Sequence, residues 1–315
     1  KDPSGKTKET LFDSGENPPN GVIVTYYLKE KPKDAISLTF SDAAGQEIRT
    51  FSSKVEPGSV PSGAEATATE GREAGSKESQ EAKDSEAEDK EPKLPAEAGT
   101  NRFVWDLRYP DAHKVPGDKA TENLVRGPVA PPGRYQVRLT VADQTSSAEF
   151  ELLADMRLPA TREDLQAQFD LLLKIRDKLS ETHDAIVQLG DLRQQVDELL
   201  RRTKQRQDAE AVAGPGRSLK EALDAIEQEL IDPQADSPLG RPTRLNARLA
   251  TLSSFVDSAD AAPTRQCYEV YDHLSIQIDA QITRLRELIK TDLAAFNAQL
   301  RDSGVPALLV VPPER

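Results

Sequence analysis

Three histidines and one cysteine are the side chains of this 315-residue chain best suited to metal, nucleophilic or acid–base chemistry. His113 lies in a predicted loop, whereas His183 and His273 lie in predicted helices. A metal-binding helical histidine needs a second ligand three or four residues away. Glu181 and Asp184 stand two residues and one residue from His183, so the sequence predicts a structural or exposed role for this histidine.

The remaining chemistry-bearing residues point to no catalytic site. A single cysteine excludes an internal disulfide and a cysteine-based zinc cluster, and Cys267 is predicted to be a small buried apolar residue. The sequence contains no H-E-x-x-H, G-x-S-x-G or P-loop motif. We therefore predict no catalytic, cofactor-binding or metal-binding residue.

The stretch NRFVWDLRYP at 101–110 contains the only tryptophan. Alternation predicts that four apolar side chains share one face of one core strand: Phe103, Trp105, Leu107 and Tyr109. The opposite face carries Arg102, Asp106 and Arg108. This face could bind a neighbouring domain. A solvated face with ordinary ion pairs is the alternative, and it is favoured because exposed pairs contribute little.

Two aromatic residues have a second interpretation each. A lone tryptophan on a β-domain suggests sugar stacking, but the apolar stripe favours a core position for Trp105. Tyr135 follows the Pro132-Gly133 turn, where a tyrosine hydroxyl can bond upstream backbone as in the tyrosine corner of Ig-like sandwiches. Trp105 and Tyr135 are therefore predicted to be structural core residues.

The elements that must position these residues form two predicted domains. Residues 20–154 contain strand-like runs at hairpin-like spacing. VIVTYYL at 22–28 is rich in β-branched and aromatic residues, and AISLTF and RYQVRLTVA alternate, which predicts an antiparallel Ig-like β-sandwich. Residues 54–98 interrupt it with an acidic insertion whose large apolar residues are Val55, Val60 and Leu94. Such a composition predicts disorder. Residues 1–19 are predicted to be an extended lead-in.

Residues 160–303 are predicted to form an elongated antiparallel bundle of about four helices. Thr161 is the predicted N-cap of the first helix and Gly304 the predicted C-cap of the last. SLKE at 218–221 predicts another helix start. Apolar residues at regular steps predict a heptad-like seam. One row contains Leu165, Leu172, Leu179 and Ile186, and a companion row contains Ile175, Leu189 and Val196. Residues 304–315 form a tail that either covers a core or meets a partner.

Charge narrows the range of partners. The formal net charge is −13, which argues against binding to nucleic acid or an anionic membrane surface. The apolar run ALLVV at 307–311 is too short to span a bilayer. No signal peptide is recognisable in the printed sequence.

Several motifs resemble the C-terminal region of bacterial sortilin-type, BNR-repeat β-propeller proteins, which are often labelled glycosyl-hydrolase-like. The β-part resembles the Ig-like domain of the flagellar hook-capping protein, with a D-x-x-G turn, W-D and P-G-x-Y in order. Here these positions are Asp42, Gly45, Trp105, Asp106, Pro132, Gly133 and Tyr135. The continuation ADMRLPATREDLQAQF also resembles that family. The resemblance implies export to the periplasm or cell exterior, and it transfers no catalytic residue.

These observations lead to one main expectation of function. The chain is expected to be a non-catalytic accessory or interaction module that packs on an upstream propeller or another protein. The alternative is a glycosyl-hydrolase-like or carbohydrate-binding protein whose active site lies in that propeller. Self-association through the helical seam is a further hypothesis.

Overall fold

The chain combines two small antiparallel sheets with a set of helices. The computed structural model describes residues 19–54, 92–204, 209–235 and 243–310. Within these ranges, strands occupy the first half of the chain and helices begin after residue 161. None of the helices in these ranges is both long enough and apolar enough to cross a membrane.

The chain forms two compact units. The β-unit contains the described residues up to Leu107 together with residues 136–149. The helical unit contains residues 108–135 and the described residues from Phe150 onward. Residues 108–135, which the sequence prediction assigns to the β-domain, therefore belong with the helices.

Among the described residues, six strands form the two sheets. β1 (Val22–Leu28) pairs with β4 (Gly99–Trp105) in a two-stranded antiparallel sheet, with Val22 opposite Trp105. The second sheet has the order β3–β2–β5–β6. Its strands are β2 (Ile36–Asp42), β3 (Glu47–Ser52), β5 (Gly133–Val141) and β6 (Gln144–Leu152). The predicted D-x-x-G turn is present: Asp42 Oδ1 accepts from the Ala44 and Gln46 amides, and Gly45 has φ 80°.

Aromatic side chains form the core of the β-unit. Trp105 is 0% exposed, and its ring stacks on Phe40 with 4.5 Å between the centroids. Phe103 contacts Phe51 at 4.7 Å between centroids. Side chains of β4 alternate, with Asn101, Phe103 and Trp105 buried. This alternation is the period-two pattern of a strand that faces a core on one side.

The predicted four-residue apolar stripe on one strand is wrong beyond Trp105. β4 ends there, and Leu107 has φ 67°, a left-handed conformation that no regular strand contains. Tyr109 lies in the helical unit, where its ring contacts Phe169 at 4.8 Å between centroids. The period-two pattern therefore runs through a turn that it cannot detect.

The predicted disordered insertion falls largely outside the described residues, as do residues 1–18 of the lead-in. Residues 92–98, however, are described and belong to the β-unit. Leu94 is buried, its amide donates to the Ser52 carbonyl at 3.2 Å, and the Tyr26 hydroxyl donates to the Pro95 carbonyl. These contacts fix the segment that leads back into β4.

Helix α1 (Arg162–Thr203) is the longest element of the helical unit. Thr161 is its N-cap, as predicted, and forms a capping box with Asp164. Most of the predicted seam is buried in the core of the unit: Leu172, Ile175, Leu179, Ile186, Leu189 and Val196. The seam therefore packs within the chain's own helical unit, and self-association through it stays a prediction.

Four further helices lie in the described part of the unit: α2 (Ala209–Leu230), α3 (Leu245–Val256), α4 (Arg265–Leu288) and α5 (Ala294–Asp302). The predicted helix start at SLKE is wrong, because α2 begins at Ala209 and includes Pro215 in its interior. Thr264 is the N-cap of α4. α4 continues through a π-helical turn, Ile289–Leu293, into α5.

The end of α5 has the predicted glycine cap. Gly304 has φ 63°, and the Val305 amide donates to the Leu300 carbonyl at 2.8 Å. Residues 305–310 then run over the helices, with Val305 and Leu308 buried. Of the two readings of the tail, its described part covers a core.

Candidate functional site

Loop 108–128 brings several charged and polar groups against α1. The Ala112 amide donates to the Val125 carbonyl at 2.7 Å, and the Tyr109 amide donates to the Pro128 carbonyl at 3.0 Å, so the two ends of the loop run side by side. Ala112 and Val125 are buried in the core of the unit. The loop is therefore an integral part of the packed helical unit.

Two arginines hold the ends of this loop in place. The Arg108 Nη1 donates to the Gly127 carbonyl at 2.7 Å, and the Arg176 Nη1, from α1, donates to the Pro110 carbonyl at 2.9 Å. The Gly127 amide donates to Asp111 Oδ1 at 2.8 Å. Guanidinium-to-carbonyl and amide-to-carboxylate hydrogen bonds are charge-assisted and therefore stronger than neutral ones. They fix where the two ends of the loop meet.

A cavity of about 130 Å³ lies beside these arginines. Arg108, Arg126, Arg176 and Asp257 contribute charged groups to its wall, which also contains apolar side chains such as Ile175. Burial raises the pKa of Asp257, and the positive charge of Arg108 opposes that rise. At about 30 Å³ for each water, the volume corresponds to roughly four water molecules. Such a cavity admits only a very small molecule.

Two histidines connect the loop to α1. The His183 ring is 0% exposed, and its Nδ1 donates to the His113 carbonyl at 2.5 Å. The His113 Nδ1 lies 2.7 Å from Asp184 Oδ1, and the His113 amide donates to the Ser180 hydroxyl at 3.1 Å. Because a carbonyl only accepts, the proton of neutral His183 is on Nδ1. The buried Nε2 has no hydrogen-bond partner among the described residues.

A buried aspartate ties the tip of the loop to α3. Asp118 Oδ2 accepts from the Thr121 hydroxyl at 2.7 Å and from the Asn246 Nδ2 at 2.9 Å. Its Oδ1 accepts from the Ala120 amide at 3.0 Å. A buried carboxylate is tolerated when its oxygens are satisfied in this way. The loop is therefore anchored to two different helices by separate polar groups.

Of the interaction face predicted from sequence, Arg108 alone lies at this site. Arg102 is exposed on β4, Asp106 is exposed after the end of that strand, and Arg108 pairs with Val129 in an isolated bridge. No single strand carries all three, which removes the geometry from which the face Arg102–Asp106–Arg108 was predicted. Trp105 is buried in the β-unit. Tyr135 is buried, and its hydroxyl donates to the Pro131 carbonyl at 2.6 Å, the upstream bond expected of it.

Sequence reasoning missed most of the groups that build this site. It gave His183 a structural or exposed role, but not its partner, which is 70 residues earlier. Arg176, Asp111 and Asp118 were not singled out either, and Arg108 was predicted only as part of an outward strand face. Within the described ranges, no group of three or more His, Cys, Asp or Glu side chains is placed to hold a metal ion. No family model, curated protein or solved structure matches this chain.

Burial of His183 makes the stability of the helical unit depend on pH. Burial lowers the pKa of His183 below 6.5, against an ordinary value near 6.5 in the unfolded chain. The stabilisation that comes from keeping His183 neutral and buried is fully present above pH 6.5. It is lost as the pH falls through the folded-state pKa, because the unfolded chain then binds the extra proton. We expect the free energy of unfolding to fall below pH 6.5 by at most about 1.4 kcal/mol per pH unit from this group.

Urea unfolding between pH 7.5 and 5 measures this slope. His183→Asn keeps a donor near Nδ1 and removes the titration, so its slope should be shallower than that of the wild type. His273→Gln is the matched control, because His273 is an exposed helical histidine. Equal slopes for the wild type and His183→Asn would contradict the assignment.

Proposed function

We propose that this chain is a non-catalytic interaction module, the C-terminal part of an exported bacterial β-propeller protein. One observation supports it best: the groups with the greatest potential for chemistry are engaged in holding loop 108–128. The proposal includes an Ig-like β-sandwich for the β-unit and an antiparallel bundle for the helices. The two sheets with their shared aromatic core and the long capped α1 are consistent with these assignments.

The engagement of these groups is specific. Arg108, Arg176 and His183 each donate to a backbone carbonyl of the loop, and Asp118 accepts three hydrogen bonds. An acid–base catalyst must present its proton to a substrate within hydrogen-bond reach. The single N–H group of the neutral His183 ring donates its hydrogen bond to the His113 carbonyl. These groups therefore fit the role of supports for a fixed surface.

The carbohydrate-binding alternative gains nothing from Trp105. Sugar stacking needs an exposed ring face, whereas this indole is buried and stacks on Phe40. We therefore do not propose a sugar site at this residue.

An exposed apolar segment between β6 and α1 is the surface that we assign to the partner. Three large apolar residues within six positions are exposed: Leu153, Met156 and Leu158. Met156 is 99% exposed, and the residues on either side of it, Asp155 and Arg157, form an ion pair. Clustered exposed apolar side chains mark interaction sites, and methionine adapts to varied partner surfaces. The occupant that we propose is a propeller blade of the same protein.

Site-specific cross-linking tests this proposal. A photo-reactive amino acid replaces Met156 in the protein as its gene encodes it, and the products are mapped by mass spectrometry. We expect cross-links from position 156 to β-propeller repeats. Tyr27, which is 70% exposed on the β-unit, is the matched control position and should give none there. Cross-links from position 156 that reach no propeller repeat would overturn the assignment of the partner, and hydrolysis of a glycan or peptide by the isolated chain would overturn the non-catalytic role.

A further inference from the structure

Two side-chain amides hold the backbone of the segment that follows α5. We call residues 304–310 the strap. Asn297, on α5, accepts from the Leu308 amide at 2.8 Å and donates to the Leu308 carbonyl at 3.0 Å. Gln195, on α1, accepts from the Leu309 amide at 2.8 Å and donates to the Leu309 carbonyl at 2.8 Å. Each amide therefore satisfies both backbone groups of one residue.

This arrangement recognises a peptide backbone. A carboxamide is a suitable reader because it carries both an acceptor and a donor. Successive residues of an extended chain direct their backbone groups to opposite sides, and here the partners of Leu308 and Leu309 are on different helices. The strap is thus held in a groove between α1 and α5 in the way that a sheet edge holds an added strand.

Few side chains anchor the strap itself. Leu308 is 8% exposed, whereas Leu309 is 68% exposed. Val305 is also buried, but its amide bonds to Leu300, so it belongs to the cap of α5. With Val305 held at the cap, the remainder of the strap has one apolar anchor, Leu308, and no regular secondary structure, so it opens at a lower free-energy cost than a helix.

Open space lies beside the strap on the side of α1. A cavity of about 730 Å³ lies between the strap and the C-terminal half of α1. Its wall includes Gln195, Leu199, Thr203 and the strap residues up to Leu308. This volume is within the range of about 300–1,000 Å³ that is typical of ligand pockets. A second segment whose side chains reach into this cavity would therefore gain contacts that the resident segment lacks.

We propose that the groove between α1 and α5 binds an extended apolar peptide segment of a partner protein, which displaces the strap. The strap indicates the chemistry of the partner segment. The partner residue whose backbone binds Asn297 should carry an apolar side chain, as Leu308 does, and the residue whose backbone binds Gln195 can carry any side chain, because Leu309 is exposed. This inference goes beyond the proposed function, since it holds whether or not the chain is joined to a propeller.

A pair of substitutions in the full chain separates the anchor from its neighbour. Leu308→Asp introduces a charge at the buried position and should release the strap. Leu309→Asp, at the exposed position, should leave it bound. The probe is a fluorescein-labelled peptide, SGVPALLV, which repeats residues 303–310. Fluorescence anisotropy should show that Leu308→Asp binds the probe at least tenfold more tightly than the wild type or Leu309→Asp.

Hydrogen exchange decides what a negative result means. The amides of residues 308 and 309 should be protected in the wild type and exposed in Leu308→Asp. Exposed amides without tighter probe binding would overturn the proposal, because an emptied groove would then not accept a peptide. Unchanged protection, or loss of the helical circular dichroism signal, would also overturn it, because the strap would not be separable from the core. Adding Gln195→Ala to Leu308→Asp should weaken probe binding at least tenfold.

Discussion

Trp105→Ala is expected to lower the free energy of unfolding of the β-unit by roughly 3–5 kcal/mol, the usual cost of deleting a buried large aromatic side chain. The indole is completely buried, and removing it leaves the ring of Phe40 without its stacked partner. Domains are commonly stable by only about 5–15 kcal/mol, so such a loss is enough to unfold a marginal one. The helical unit should remain largely intact, since its core consists of other residues.

Nuclear magnetic resonance measures this result directly, because the substitution removes the only tryptophan fluorescence signal. Amides of β1 to β4 should lose dispersion and protection from exchange, while amides of α1 should keep theirs. Tyr27→Ala is the matched control, since Tyr27 is an exposed aromatic residue of the same two-stranded sheet. Simultaneous unfolding of both units in Trp105→Ala would show that they are not energetically separate.

Gly127→Ala is expected to destabilise the helical unit by about 3 kcal/mol, the upper part of the usual range for overpacking. A Cβ at this position would lie 2.0 Å from the Tyr109 carbonyl oxygen and 2.5 Å from that of Pro110. Both atoms belong to backbone, which cannot turn away as a flexible side chain can. The loop must therefore move, and the hydrogen bonds of Gly127 to Arg108 and Asp111 weaken with it.

Urea unfolding followed by far-ultraviolet circular dichroism measures this loss. Gly190→Ala is the matched control, because Gly190 lies inside α1 with open space around its Cβ position. Alanine is favoured over glycine within a helix by about 0.8–1.0 kcal/mol, so this control should be slightly more stable than the wild type. A Gly127→Ala variant as stable as the wild type would mean that the loop ends are not held as closely as described.

Local patterns predicted the elements better than their connections. β1 begins and ends where VIVTYYL does, and Thr161 caps α1, because alternation and capping depend on neighbouring residues. SLKE failed as a helix start since its capping pattern also fits a helix interior. The left-handed conformation of Leu107 was missed because glycine is the usual sequence signal for such a conformation and a leucine gives no such signal.

The candidate site was beyond prediction for a different reason. Its hydrogen bonds join residues far apart in sequence, such as Asp118 and Asn246 or His113 and His183. No spacing rule relates such positions, because the packing of helices determines which side chains meet. The close approach at Gly127 is also tertiary, and a glycine in GPVAPPG reads as ordinary turn composition.

The π-helical turn at Ile289–Leu293 determines the direction in which the side chains of α5 point. A π turn accommodates one residue more than an α turn, and each residue of an α-helix advances the direction of a side chain by roughly 100°. Without that extra residue, Phe296, Asn297 and Leu300 would all point about a quarter-turn away from their present partners. The inserted residue thus rotates the side chains that follow it. As a result, one continuous helix places Phe296 and Leu300 in the core and the Asn297 amide against Leu308.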